Sequence, residues 1–288
     1  MRKRGRLLTA VLLALTAWVL WQSVRPREPL YNGKTIRVWV EQFGYNEAGD
    51  PAKWAEALTN LVQIGTNALP CILELAATHD SGFKRAASAV HLPGALLERL
   101  ALKTGYDRWL AASLDLPRVA RKAFETMGPD ARVAKPALVH LFQAAQNPQS
   151  RIAVIRMLMS FYDWHLEDDA QSTLPALAES LKDPSRLVRE TAYEAIGLIS
   201  SGDPPEVPEP AAIKHYEEFQ TRSAKLLLPV LIRLLGDPNA DCELVLKTLG
   251  DLGPLASEAV PAVRPLLQSS DKAIRMAAAN ALDHIEPN

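Results

Sequence analysis

The densest polar constellation in the chain is Trp164-His165-Leu166-Glu167-Asp168-Asp169, where an imidazole beside three carboxylates offers donors for a divalent cation. It has neither the spaced His and Cys pairs of a zinc site nor the glycine-containing loop of an EF-hand, and it reads as an acidic turn between helices. His79, His91, His140, His215 and His284 are scattered without an i, i+4 pair, so they build no HExxH-like site and read as surface or half-buried histidines. There is no GxSxG nucleophile elbow, no GxxxxGK(S/T) phosphate loop and no GxGxxG turn. The expectation is therefore no catalytic residue, no metal ligand, no cofactor and no small-molecule substrate. Cys71 and Cys242 lie 171 residues apart. If neighbouring units alone touch, they do not meet, and two buried free thiols are expected.

The elements that position these residues show themselves as a repeat. Gly128-Pro129-Asp130-Ala131-Arg132-Val133-Ala134-Lys135-Pro136 and Gly253-Pro254-Leu255-Ala256-Ser257-Glu258-Ala259-Val260-Pro261 share the pattern GPxAxxAxP, 125 residues apart. That spacing fits three units of about 42 residues. Arg189 to Ile199 aligns in the same way with Arg275 to Ile285, two units away. A proline is expected in the first turn of an apolar helix at Pro70, Pro136, Pro175, Pro229 and Pro261, where its missing N–H breaks no intrahelical bond. Asp183-Pro184 and Asp237-Pro238 follow two of them at turn distance. Each unit reads as two antiparallel helices, the first carrying Leu174, Leu177 and Leu181, the second Leu187, Val188, Ala192, Ala195, Ile196 and Ile199. Neither helix can bury its stripe alone, so the units must stack. With 21 prolines and only 6% aromatic residues, the composition also fits short punctuated helices better than a β-sandwich.

These residues resemble the HEAT repeat family, whose units carry an early proline, an aspartate at the turn, then Val-Arg, Ala and Ala-(Leu/Ile)-Gly. Leu174 to Ser201 follows this pattern through Pro175, Asp183-Pro184, Val188-Arg189, Ala192 and Ala195-Ile196-Gly197. Other units are looser: Ser269 replaces the turn aspartate in the last, and Cys242-Glu243 replaces Val-Arg in the one before. The resemblance implies an all-α fold, a right-handed α-α superhelix of the HEAT/armadillo-like solenoid kind. It also implies that Asp183, Asp237, Arg189 and Arg275 belong to a structural ladder between repeats, with Pro175 and Pro261 marking first helices. Two weak rungs imply locally weaker stacking. The segment Tyr31 to Val40 is similar to the opening of some bacterial membrane-anchored HEAT-repeat proteins. Ile36, Trp39, Val40 and Phe43 on one helix face, and Trp54, Leu58, Leu61 and Val62 on the next, suit a cap over 29–66. The repeats then occupy 67–288, with a helix expected over Arg118 to Met127. Insertions fall at about 79–117, including a helix from Ala95 to Lys103, and at about 201–222, beginning with an acidic loop rich in proline.

Residues 1–28 hold Arg2, Lys3, Arg4, Arg6, Arg25 and Arg27 against Glu28 alone, so the remainder carries 26 basic and 32 acidic residues. A body of that sign lacks the cationic field on which nucleic-acid affinity rests. Leu7 to Val24 is uncharged, and eighteen residues of helix cover roughly 27 Å of a bilayer core about 30 Å thick. The basic flank places the amino terminus in the cytoplasm and the repeats on the exported, periplasmic side of a single-pass membrane helix. Cleavage after Ala17 is the alternative, with Leu15 a poor −3 residue. The function expected is a non-enzymatic protein-protein interaction scaffold tethered to the membrane. The solvent-facing residues of second helices, Lys122, Glu125, Glu190, Tyr193, Glu194 and Lys247, are the expected contacts with a protein partner. An auxiliary subunit of a cell-envelope complex is the alternative. A HEAT-like enzyme acting on DNA would use Trp39, Trp54 and Trp109 in a basic groove, against the charge of the body.

Overall fold

The computed structural model describes residues 30–46, 50–78, 116–145, 147–202, 204 and 209–287. The expected membrane helix at Leu7–Val24, the helix from Ala95 to Lys103 and nearly all of the 79–117 insertion lie outside these residues, as do Asp203 and residues 205–208 of the acidic loop. Among the described residues no helix is long and apolar enough to cross a membrane.

The described part of the chain opens on a hairpin of two-residue strands, β1 (Leu30–Tyr31) and β2 (Lys34–Thr35), the only strands among the described residues. Asn32 and Gly33 turn it with φ of 46° and 79°, the left-handed pair that a two-residue hairpin loop requires. Then come α1 (Ile36–Asn46), α2 (Pro51–Ile64) and α3 (Leu69–Ala76). On α1 the expected face, Ile36, Trp39, Val40 and Phe43, is buried throughout. On α2 the buried face is Ala57, Asn60, Leu61 and Ile64, while Val62 is 57% exposed, because one residue beyond Leu61 lies about 100° round the helix. The Trp39 indole donates to the Tyr31 carbonyl at 2.7 Å, Lys34 Nζ lies 3.9 Å from its ring centre, and Phe43 stacks on Trp54 at 5.7 Å.

Beyond the cap lie α4 (Leu116–Glu125), α5 (Lys135–Ala144), α6 (Pro148–Asp163), α7 (Glu167–Gln171), α8 (Leu174–Glu179), α9 (Arg186–Ser201), α10 (Pro210–Leu234), α11 (Cys242–Asp251), α12 (Val260–Val263) and α13 (Lys272–Ile285). They form helical pairs, α5 with α6, α8 with α9, α10 with α11 and α12 with α13. The second helices pack on one another in chain order, α4 on α6, α6 on α9, α9 on α11 and α11 on α13. One apolar core runs through all of them, from Ile36 to Ile285. On α9 it takes Val188, Ala192, Ala195, Ile196 and Ile199 as expected, whereas Leu187, one residue out of phase with Val188, is 59% exposed. Between α4 and α6 the core is an aromatic trio, with Phe124 at 6.3 Å from Phe161 and 5.4 Å from Trp164.

Both GPxAxxAxP segments form tight 3₁₀ turns, Gly128–Ala134 and Gly253–Ala259, that lead into the next first helix. Gly128 and Gly253 stand at φ of 65° and 57°, which glycine alone adopts without strain. The repeated alanines Ala131, Ala134, Ala256 and Ala259 are all buried. Pro70, Pro136, Pro175 and Pro261 occupy the first turns of α3, α5, α8 and α12. Pro229 does not: it lies inside α10, which begins at Pro210 and so absorbs most of the expected 201–222 insertion. Pro229 faces solvent, where the carbonyl that it leaves unpartnered can be hydrated.

The ladder is present but differs in its members. Arg151, Arg189 and Arg275 each hold the fourth position of a second helix, and each donates through Nη1 to the carbonyl six residues back: Ala145 at 3.0 Å, Asp183 at 2.8 Å and Ser269 at 2.7 Å. Two of them also reach the next unit. Arg151 Nε lies 2.6 Å from Asp183 Oδ2, and Arg189 Nε lies 2.9 Å from Asp241 Oδ2. Asp237, the expected rung, is instead turned onto its own loop by the Asn239 backbone N–H at 2.9 Å, and that contact holds its carboxyl below the usual range. Asp241 takes its place because it caps α11 and its own N–H donates to the Leu181 carbonyl at 2.9 Å. In α11 the fourth position is Val245, so no arginine rung joins α11 to α13. At that boundary a Cβ on Gly250 would stand 3.3 Å from the Ala281 Cα, and the two helices pack closely through small residues.

This packing sets two measurable expectations. Replacing Arg151 with Ala strands the nearly buried Asp183 carboxylate and should cost roughly 2–3 kcal/mol in urea unfolding, with Arg151→Ala/Asp183→Ala costing less than the sum of the single changes. A Cβ on Gly44 would meet the Val119 Cβ at 2.9 Å and both of its methyl groups closer still, whereas one on Gly197 meets nothing within 4 Å. Gly44→Ala should therefore lose about 1–3 kcal/mol, and Gly197→Ala should gain about 0.5–1 kcal/mol by helix propensity, as read from denaturation midpoints.

Candidate partner-binding face

Outward side chains of the second helices form the face on which the expected contacts lie. Lys122 and Glu125 belong to α4, Glu190, Tyr193 and Glu194 to α9, and Lys247 to α11. Of these, Glu194 and Lys247 are exposed, while Lys122, Glu125, Glu190 and Tyr193 are half-buried. Helical phase alone does not separate the two groups, because the difference arises from neighbours. Glu125 is held by Arg121 one turn earlier, and Glu190 by the Arg186 guanidinium at 2.7 Å, so both are partly neutralised within their own helices.

Tyr193 and Lys247 meet across the α9–α11 boundary. Lys247 Nζ sits 4.6 Å from the Tyr193 ring centre, and Tyr193 Oη donates to Asp251 Oδ2 at 2.6 Å. A cation over the ring face and a carboxylate on the hydroxyl fix this phenol from both ends. Burial, followed by the Asp251 hydrogen bond and charge, pushes the Tyr193 phenol well above its ordinary range. Asp251 is the member that sequence reading missed. It lies four residues beyond Lys247 on α11, a spacing that puts both on one helix face.

Next to this cluster a cavity of about 320 Å³ opens between α11 and α13, bordered by Lys247, Asp251, Leu246, Met276, Asn280 and His284. Met276 is 54% exposed there, a flexible apolar side chain on a polar-rimmed depression. The face thus combines an apolar floor, a cation and a carboxylate, which suits recognition of a mixed polar and apolar surface.

The Trp164 to Asp169 constellation joins α6 to α7 and binds the units together. Trp164 closes α6 inside the aromatic trio, and His165, at φ 56°, takes the left-handed residue of a Schellman turn. The Leu166 N–H donates to the Phe161 carbonyl at 2.8 Å and the His165 N–H to the Tyr162 carbonyl at 2.9 Å. The three carboxylates that follow open α7, and each takes a different partner: Glu167 with His215 at 3.3 Å, Asp168 with Arg222, and Asp169 with Lys135 at 2.5 Å. The buried Gln171 completes the link, donating to the Phe219 carbonyl at 2.9 Å and to Ser223 Oγ at 2.7 Å on α10. Among the described residues no group of three or more His, Cys, Asp or Glu is placed to hold a metal ion.

His140, His215 and His284 are exposed. Cys71 and Cys242 are half-buried rather than buried, and burial pushes the Cys242 thiol up, aided by Asp241 and Asp271. Trp39 is buried and Trp54 is half-buried against Phe43, while Trp109 lies outside the described residues.

The Tyr193 cluster is testable by titration. Because the folded state raises this phenol's pKa, its contribution to stability is complete below about pH 10, the unfolded value, and is lost as pH rises above it. The phenolate absorbance of wild-type protein and Tyr193→Phe should therefore coincide up to about pH 11, and Tyr193→Phe should cost about 0.5–1.5 kcal/mol at neutral pH.

The HEAT repeat family matches the chain over residues 173–202. That span runs from Thr173 through α8 and α9 to Gly202, and it contains Pro175, Asp183 and Arg189. No curated protein matches the chain. With its turn aspartate paired to the arginine of the unit before, and its own arginine paired to the unit after, this segment has the form of the HEAT repeat that it matches.

Proposed function

We propose that the chain is a non-enzymatic scaffold that binds another protein along its row of second helices. The observation that carries this reading is the Tyr193, Lys247 and Asp251 cluster beside the α11–α13 cavity, a polar and apolar surface already ordered before any partner arrives. Side chains held by neighbours lose little freedom on docking, which is where association is otherwise costly. The absence of a catalytic motif in the sequence supports the non-enzymatic part. A unit spacing of about 42 residues supports curvature of the paired helices into a right-handed superhelix.

The finer part of the proposal is that Leu7 to Val24 tethers the scaffold to a membrane as a single-pass anchor, with the repeats on the exported side. It rests on the uncharged stretch and the basic residues before it. A stable subunit of a cell-envelope complex is the form of this function in which one partner is held at fixed stoichiometry.

Crosslinking in the native host, capture through the carboxyl terminus and mass spectrometry test both parts. One envelope protein recovered at near-equal stoichiometry, with the first 28 residues intact, is the expected outcome, and its recovery should fall in Glu194→Lys/Lys247→Glu. Failure to retain any protein would remove the scaffold reading, and a chain cut after Ala17, beginning at Trp18, would remove the tether.

A further inference from the structure

At the other end of the same row, α4 and α6 enclose a cavity of about 320 Å³ lined by Pro117, Arg118, Arg121, Gln149, Ile152, Ala153 and Arg156. Among the described residues three guanidinium groups border it and no carboxylate does. Glu125, four residues beyond Arg121, is on Arg121 and outside the lining. Arg156 is exposed and makes no ion pair among the described residues, and Arg118 is exposed as well. The floor is apolar: Ala153 is buried, Ile152 half-buried, and Pro117 closes the end at the start of α4. This concentration of arginine stands against a body of 26 basic and 32 acidic residues.

Arginine forks match carboxylates in two-point hydrogen bonds, and their planes also lie against apolar groups. Cationic walls over an apolar floor suit a ligand that brings both a carboxylate and a hydrophobic body. A free inorganic anion satisfies the walls and leaves the floor to water. At about 320 Å³ the cavity is at the small end of ligand sites, the size of one or two side chains rather than of a cofactor.

We propose that the α4–α6 cavity, walled by Arg118, Arg121 and Arg156 over Ile152, is the docking site for an acidic peptide segment of a partner protein that carries an apolar side chain between its carboxylates. The proposal deepens the scaffold reading and rests on it. It places the energetic anchor of the interface on arginines in the first half of the row, away from Tyr193 and Lys247.

The test uses the full-length chain in detergent and a fluorescein-labelled peptide of alternating Glu and Leu, read by anisotropy. Binding is expected to weaken with added salt, to vanish for the Gln-for-Glu peptide, and to fall about tenfold or more in Arg156→Glu and in Arg118→Glu while a change at the exposed Lys225 of α10, Lys225→Glu, leaves it unchanged. Arg156→Lys keeps the charge but loses the fork, and an intermediate affinity is expected of it. Unaltered melting temperatures in these variants separate loss of the site from loss of the fold. Equal binding by the wild type and Arg156→Glu overturns the assignment, as does displacement of the peptide by millimolar inorganic phosphate, or no binding at all. In the native host, a partner that is retained undiminished by Arg118→Glu/Arg156→Glu overturns the cavity and leaves the scaffold standing. If wild-type protein captures nothing while the peptide still binds, the scaffold reading fails and the cavity does not.

Discussion

A guanidinium at the fourth position of a second helix is asked to be in two places at once. One nitrogen reaches back to a carbonyl six residues earlier and fixes the turn of its own unit, while Nε and the remaining nitrogen face the carboxylate of the next. Because the guanidinium is flat and rigid, setting one contact sets the other. The orientation of each unit relative to the next is then coupled to the conformation of a loop inside the first. Apolar burial supplies most of the cohesion of such a stack, but burial is indifferent to small rotations. Directional bonds at the boundary supply the angle, and the Tyr193 cluster, which joins α9 to α11 across the Arg189–Asp241 boundary, exists only at that angle.

Much of this architecture was legible from residues that tolerate no substitute. Glycine before proline in the two GPxAxxAxP segments marked left-handed turns, and the alanines between them marked buried positions. The cap was legible from helical phase on α1, where the bulky residues all fall on one face. What escaped was decided by competition between equivalent chemistries. Asp237 and Asp241 are both acids near a helix start, and only the turn made by Asn239 shows which is occupied. Pro229 carries the same first-turn signal as Pro175, but nothing in its neighbourhood announces that the helix began at Pro210.

The candidate face was legible as a face and not as a site. Phase placed Glu190, Tyr193 and Lys247 on the outside, yet the contact between Tyr193 and Asp251 spans 58 residues and depends on how two units are rotated. The arginines of α4 and α6 gave no repeat signal because they lie outside the family pattern. Residues that bind partners are under no obligation to recur, so a period-based reading finds the frame and passes over what the frame displays.

The two acceptors of the arginine rungs are not at equivalent positions. Asp183 stands three residues before the first residue of α9, while Asp241 stands immediately before α11. A unit transplanted from one boundary to the other would present its carboxylate two residues out of register, about half a helical turn from the waiting guanidinium. The chain therefore looks modular without being interchangeable. Duplication of a whole unit could lengthen it only where the new boundary brought its own matched pair, and the α11–α13 boundary, which has no arginine rung, is the place where a unit could be gained or lost with no arginine left facing an empty position.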